Sequence, residues 1–166
     1  MDPVRAKVTN VFCGLNNCMP SGMAQGPGDN VLLTCDPGFP APDPTLFLPR
    51  TYVINGCTGH IRATITQVGG TDEAWYNPGD HYYYLGSRDY FTNPNATSAS
   101  PVLGVIDADT SRWIENYPTG QDAHSVAANP LNNHIFVPIE YPNSRLCGSL
   151  PGCVAVFTDF PSRWQH

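Results

Sequence analysis

Three polar side chains recur at the same place in three repeated segments of the sequence. Ser21, Asp72 and His124 each stand six residues before the first residue of a Pro-containing turn. Carboxylate and imidazole groups are side chains that move protons in enzymes, and together they also suit zinc and other transition ions. The spacing therefore predicts a functional site wherever the fold brings these three positions together.

His124 and Asp72 are the predicted catalytic residues, either as metal ligands or as a base, and Glu73 is a predicted ligand or supporting group. A divalent cation, zinc or calcium, held by His124 and Asp72 would polarise a substrate oxygen and lower the pKa of a bound water. Ser21 is a predicted substrate contact. A nucleophilic serine is a further alternative, although Ser21 lacks the pattern of a nucleophile elbow. A solvated channel without catalysis explains the same residues, and that alternative stays open.

Two further charged residues, Arg88 and Glu140, fall at matching positions just past the second strand of their repeats. They are predicted to bind substrate, although an ordinary ion pair between neighbouring repeats is an open alternative. Both belong to long loops, at 87–101 and 139–152, and a third such loop covers 36–50. The three loops are predicted to surround the same end of the fold.

The elements that must position these residues follow from a repeat of 51 or 52 residues. Turns rich in Pro, Gly, Asn and Asp separate two short apolar runs in each unit, which is the pattern of a β-hairpin. The turns are Pro27-Gly28-Asp29-Asn30, Pro78-Gly79-Asp80-His81 and Pro130-Leu131-Asn132-Asn133. A second hairpin follows in the first two units. Four strands per unit of about 50 residues indicate a β-propeller blade, so the fold is predicted to be all-β.

The predicted half-propeller occupies the whole chain, 1–166. It consists of a strand over 1–10, blades over 19–66 and 71–118, and the first three strands of a split blade over 123–160. Three blades cannot close a ring, because propellers have four to eight blades. Two copies are therefore predicted to exchange the strand over 1–10 and close a six-bladed ring as a homodimer.

Several segments resemble blades of the lactonase-like β-propellers, a group with gluconolactonase-like, regucalcin-like and YVTN-repeat members. The resemblance lies in Gly69–Asp80, Gly104–Asp107, Ala123–Pro130 and Asn133–Pro138. It implies a hydrolase, metal-assisted in one form of the hypothesis, that acts on a lactone, ester or phosphotriester at the top of the channel. The alternative is a non-catalytic binding or scaffold module derived from a larger exported propeller protein.

Composition limits the partners of the chain. Eight basic against 14 acidic residues give a net charge of −6, which argues against a nucleic-acid partner. No stretch approaches 18 consecutive apolar residues, so no membrane partner is expected. The predicted partners are a second copy of the chain and a small-molecule substrate.

Six cysteines are many for a cytosolic chain and suggest an extracytoplasmic ancestor. The N-terminal residues lack the apolar core of a signal peptide, so the localisation stays open. Two pairs are close in sequence and are predicted disulfides, Cys13–Cys18 and Cys147–Cys153. The other two cysteines are predicted to be free: Cys35 and Cys57.

Overall fold

The computed structural model describes residues 8–36, 48–93, 95–140 and 145–158. Within these ranges the chain forms eleven β-strands and no helix, which confirms the all-β prediction. No membrane-spanning helix is therefore found in this part of the chain. In chain order the strands are β1 (Pro20–Gln25), β2 (Asn30–Cys35), β3 (Thr51–Asn55), β4 (Ile61–Ile65), β5 (Glu73–Asn77), β6 (Tyr82–Ser87), β7 (Val102–Asp107), β8 (Arg112–Pro118), β9 (Ala127–Asn129), β10 (His134–Ile139) and β11 (Cys153–Phe157).

The strands form three antiparallel sheets in which each strand pairs with the next one along the chain. The first sheet holds β1–β4 and the second β5–β8, while the third holds β9–β11 in the described residues. Tight hairpin turns gather at one end of the sheets, here called the turn end. The long connections, and the links from one sheet to the next, gather at the opposite end, here called the loop end.

The turns follow from local chemistry at the turn end. The amide of Asn30 donates to the carbonyl of Pro27 across the first predicted turn, at 3.2 Å. In the β7–β8 turn, the Asp107 carboxylate accepts hydrogen bonds from the amides of Asp109 and Thr110. Short polar side chains of this kind satisfy the turn backbone without a partner strand, so the hairpins are encoded locally.

The three sheets stack face to face, with their first strands side by side: β1 contacts β5, and β5 contacts β9. Successive side chains of a strand point to opposite faces of its sheet. The second sheet, which lies between the other two, can therefore bury apolar side chains on both of its faces. Between the first two sheets lie Leu32, Val53, Tyr83, Leu85 and Ile106, and between the last two lie Tyr84, Leu103, Val105, Ile135 and Val137. Consecutive meanders packed in this way are the blades of a β-propeller.

The two ends of the stack present different outer faces. On the first outer face, Leu33, Tyr52 and Ile54 are buried and pack against Leu15 and Cys18 of the segment 8–18. On the third outer face, Val154 is 60% exposed and Val156 is 51% exposed. One end of the stack is therefore covered by the chain itself, while the other leaves apolar side chains in solvent.

The strand predicted over 1–10 lies mostly outside the described residues, and 8–10 belong to no strand. Residues 8–10 instead begin the segment 8–18, which packs on the first outer face through Leu15 and Cys18. The third sheet has three strands in the described residues, with β11 at its edge. Closure into a six-bladed ring stays a prediction.

Two disulfides form, Cys18–Cys35 and Cys147–Cys153. The second confirms the prediction, whereas the predicted Cys13–Cys18 bond is wrong. Pro20 pairs with Cys35 across the first sheet, which places Cys18 beside Cys35 with a Cα–Cα distance of 4.9 Å. Proximity across the sheet thus overrides proximity in sequence. Cys57 is free, as predicted, and so is Cys13. The prediction that Cys35 is free is wrong, because Cys35 is bonded to Cys18.

Candidate functional site

Four titratable or charged residues meet at the loop end. Asp36 directly follows β2, Arg88 directly follows β6, and Asp72 directly precedes β5. His124 lies on the link from the second sheet to the third. Because neighbouring strands run in opposite directions, the last residue of one strand and the first residue of its neighbour lie at the same end of the sheet. The antiparallel order therefore gathers these residues.

The connections at the loop end approach each other closely at Gly70. The amide of Gly70 donates to the carbonyl of Cys35 at 2.9 Å, and the amide of Asp89 donates to the carbonyl of Gly70 at 3.0 Å. Gly70 has a φ of 67°, and a Cβ there would overlap the Asp89 carbonyl. Only glycine fits this backbone, which holds the first two sheets together beside the site.

Arg88 bridges two carboxylates. Its Nη2 lies 2.8 Å from Oδ2 of Asp72, and its Nε lies 3.1 Å from Oδ2 of Asp89. The fixed fork of a guanidinium suits this kind of two-sided contact. Since Arg88 follows β6 and Asp72 directly precedes β5, the bridge fixes the Asp72 side chain at the end of its own sheet.

The surroundings of Asp72 raise the pKa of its carboxyl group well above the ordinary value. Burial raises the pKa of this carboxyl to about 6, and a hydrogen bond with Asp36 raises it as well. The positive charge of Arg88 and the nearby His124 act in the opposite direction. A carboxyl group with such a pKa can accept and release a proton under ordinary conditions, which is what a general base must do.

His124 is held in a defined orientation. Its Nδ1 lies 2.9 Å from the backbone carbonyl oxygen of Asp122. A carbonyl only accepts hydrogen bonds, so this contact requires the proton on Nδ1. The neutral ring then keeps an unprotonated Nε2 that can accept a hydrogen bond. The residue that orients His124 is Asp122, through its backbone.

Two other predicted site residues join neighbouring sheets. Glu73 accepts a short hydrogen bond from the Ser125 hydroxyl, which links the start of β5 to the chain before β9. The Ser21 hydroxyl donates to the carbonyl of Thr71 at 2.6 Å and lies 3.1 Å from Oγ1 of Thr34. Ser21 therefore links the first two sheets, and Glu73 supports the position next to His124.

Glu140, the last predicted site residue, is exposed just after β10. Within the described ranges, Arg88 forms its ion pairs with Asp72 and Asp89, not with Glu140. Arg88 thus forms ion pairs, as the alternative to substrate binding held. These pairs lie within its own sheet and loop, and not between neighbouring repeats. Sequence reasoning missed Asp36 and Asp89. Asp36 carried a usable signal, since it stands directly after the second strand of its unit, as Arg88 and Glu140 do.

A cleft of about 370 Å³ opens at the loop end, and of the four residues that meet there Arg88 lines it. This volume is at the small end of the range found for small-molecule sites. Its lining includes Arg88, which contacts Asp72, and Asp122, which orients His124. The full lining is Arg88, Asp89, Ser98, Ala99, Pro101, Gln121 and Asp122.

The predicted metal site has few ligands. Among the described residues, no group of three or more His, Cys, Asp or Glu side chains is arranged to hold a metal ion. His124 and Asp72 are close enough to interact electrostatically. Zinc usually takes four ligands and calcium six to eight, so a cation at this pair would need ligands beyond them.

No protein family model and no curated protein matches this chain. Among solved structures, it is similar to the hydrazine synthase of Kuenenia stuttgartiensis, with a TM-score of 0.56 and 9% identity. That match covers 82% of this chain and 33% of the other, so this chain spans about a third of the hydrazine synthase chain. At this identity the similarity concerns the fold alone.

A structure described as the Dos1 propeller matches with a TM-score of 0.36 and 9% identity, over 86% of this chain and 43% of that chain. The sheet topology defines the chain as a set of β-propeller blades. The narrower lactonase-like family has support only from the resemblance in sequence.

Proposed function

We propose that this chain carries a hydrolytic site for a neutral lactone, ester or phosphotriester at the loop end, beside the cleft that Arg88 lines. The observation that carries the proposal is Asp72, a carboxyl group with a pKa of about 6, flanked by Asp36, Arg88 and His124. The resemblance to lactonase-like propellers supports the same reaction class, as an analogy between folds.

The charge of the site supports uncharged substrates. Four aspartates, Asp36, Asp72, Asp89 and Asp122, lie within electrostatic range of one another beside the guanidinium of Arg88. The surplus of negative charge repels anions, so a phosphate monoester is a poor candidate. Lactones, esters and phosphotriesters carry no charge and avoid this repulsion.

In the proposed reaction, a water molecule attacks the carbonyl carbon or phosphorus. Ionised Asp72 accepts one proton of this water, while Nε2 of His124 accepts a hydrogen bond from the other and orients it. The bond to the leaving oxygen then breaks, and that oxygen takes the proton from Asp72. Arg88 has N–H groups beyond the two that bind carboxylates, and these can stabilise the developing oxyanion.

The test compares Asp72→Asn with Asp29→Asn on a panel of neutral lactones, esters and phosphotriesters. Asp29 lies in the β1–β2 turn, at the opposite end of the sheets, and serves as the matched control. We expect Asp72→Asn to lower kcat/KM about 100-fold or more, and Asp29→Asn to change it less than twofold. Wild-type turnover in a folded Asp72→Asn variant would refute the proposed base.

Metal assistance is tested separately by elemental analysis of the purified chain and by the effect of added zinc or calcium. We expect turnover on the side chains alone, because no group of three or more candidate ligands is arranged to hold a metal ion among the described residues. A stoichiometric metal whose removal abolishes turnover would contradict this expectation. It would support His124 and Asp72 as metal ligands.

A second candidate function, a binding or scaffold module, is favoured by the third outer face. Phe136 pairs with Val156 in register, and Pro138 pairs with Val154, so four apolar side chains share this face. In a propeller the next blade covers such a face. We propose that a second copy supplies it, in a six-bladed ring where residues 1–10 of the partner pair with β11.

The ring is tested by light scattering. A closed dimer has twice the 18.1 kDa mass of the chain. Val156→Glu would place a charge on the third outer face and is expected to give a monomer. Leu131→Glu also adds a charge at an exposed apolar residue, but in the turn between β9 and β10, and is expected to leave the dimer intact. A wild-type monomer would refute ring closure.

A further inference from the structure

The segment 8–18 is fixed to the first outer face most firmly at the loop end. There the carbonyl of Asn16 accepts hydrogen bonds from the Tyr52 hydroxyl at 2.9 Å and from Nη1 of Arg50 at 2.8 Å. The Cys18–Cys35 disulfide joins the same end of the segment to β2. The other end of the segment reaches the β3–β4 turn.

The backbones of the segment 8–18 and the β3–β4 turn approach each other closely at Phe12 and Gly59. The Cβ of Phe12 lies 2.9 Å from the point where a Cβ on Gly59 would stand. The Cα atoms of Phe12 and Gly59 are therefore within about 6 Å of each other. Gly59 has a φ of 73° and no side chain, which permits the Phe12 ring to lie directly on the turn.

A free cysteine lies close in sequence to each of the two residues in this contact, Phe12 and Gly59. Cys13 directly follows Phe12, and Cys57 stands two residues before Gly59; both thiols are exposed. The turn is compact, because the Asn55 side chain accepts hydrogen bonds from the amides of Cys57 and Thr58 at 2.9 Å. Cys57 is therefore held close to the point that Phe12 contacts. Disulfides join residues whose Cα atoms lie about 4.4–6.8 Å apart. The approach of about 6 Å between Phe12 and Gly59 lies one residue from Cys13 and two residues from Cys57.

We propose that Cys13 and Cys57 form a third disulfide when the chain meets a small-molecule disulfide such as oxidised glutathione. The thiolate of one cysteine attacks the glutathione disulfide and releases one glutathione thiol. The second cysteine then attacks the mixed disulfide and releases the other. Two protein thiols are oxidised and one glutathione disulfide is reduced. The new bond fixes the segment at the turn end, as Cys18–Cys35 fixes it at the loop end.

The test treats the folded chain with oxidised glutathione and maps its peptides without reduction. We expect free thiols to fall from two per chain to none, with a cross-linked peptide containing residues 13 and 57 and no retained glutathione. Cys13→Ser and Cys57→Ser are the matched variants. Each keeps one thiol and is expected to retain one glutathione as a stable mixed disulfide.

A second readout is the melting temperature. Oxidised wild-type chain is expected to melt higher than the Cys13→Ser/Cys57→Ser double variant, while Cys147–Cys153 stays intact in both. Two glutathione adducts per chain without an internal cross-link would overturn the proposal. Cross-links found only between two chains would overturn it as well.

Discussion

The two outer faces of the blade stack are built from similar strands and meet different surroundings. Leu33, Tyr52 and Ile54 on the first outer face are buried under a segment of the same chain. Val154 and Val156 on the third outer face alternate with inward-facing residues in the same way but remain exposed. An alternating apolar pattern in a strand therefore indicates that one face of its sheet can be buried. It does not indicate which part of the protein, or which other chain, covers that face.

The largest expected effect comes from truncating one side chain on each face. Leu33→Ala should lower the free energy of unfolding by about 3–4 kcal/mol, because it leaves a cavity under the segment 8–18. Val156→Ala should cost less than about 0.5 kcal/mol in the monomer, because its methyl groups are in water in the single chain. Urea unfolding at low protein concentration measures both. Similar losses at the two positions would mean that the third outer face is covered in solution.

The two disulfides give the next comparison. Replacing Cys18 and Cys35 by serine removes a cross-link between residues 17 apart, and replacing Cys147 and Cys153 removes one between residues 6 apart. Loop-closure entropy predicts losses of about 3 and about 2 kcal/mol. Only the first replacement should also release the segment 8–18, which hydrogen exchange at the Tyr52 and Ile54 amides would detect. Equal exchange in both variants would contradict this.

The smallest expected effect is a pH dependence of the unfolding free energy. It arises from Asp72 at the loop end and not from either outer face. The folded-state pKa of Asp72, about 6, lies above its ordinary value of 3.8. The proton therefore binds the folded chain more tightly, so this contribution to stability is complete below about pH 4 and is lost as the pH rises through 6. Two pKa units correspond to about 3 kcal/mol, and we expect about 1–2 because the side chain is 28% exposed.

The pH effect is measured as the difference in unfolding free energy between wild type and Asp72→Asn from pH 4 to 7. Burial also raises the pKa of Asp89, so wild type alone would report both groups, and the difference isolates Asp72. Asp29→Asn should keep the wild-type slope. An identical slope in Asp72→Asn would show that this carboxyl titrates as it does in the unfolded chain.

The candidate site was only partly predictable. Asp72 and His124 were found because they occupy the same place in two repeats, and the fold brings both to the loop end. Ser21 occupies that place in the first repeat, yet its hydroxyl bonds to Thr71 and Thr34 and joins two sheets. The repeat specifies where a side chain stands on its blade. Its role depends on the neighbouring blade, which the repeat does not describe.

The sequence by itself determined the all-β class, the hairpin turns and the Cys147–Cys153 bond. All of these depend on residues within a few positions of one another, where turn chemistry and strand alternation act. Only the tertiary structure decided the Cys18–Cys35 pairing, the carboxylate bridge through Arg88 and the covering of the first outer face. These depend on which strand edges and faces meet, and that follows from packing between blades.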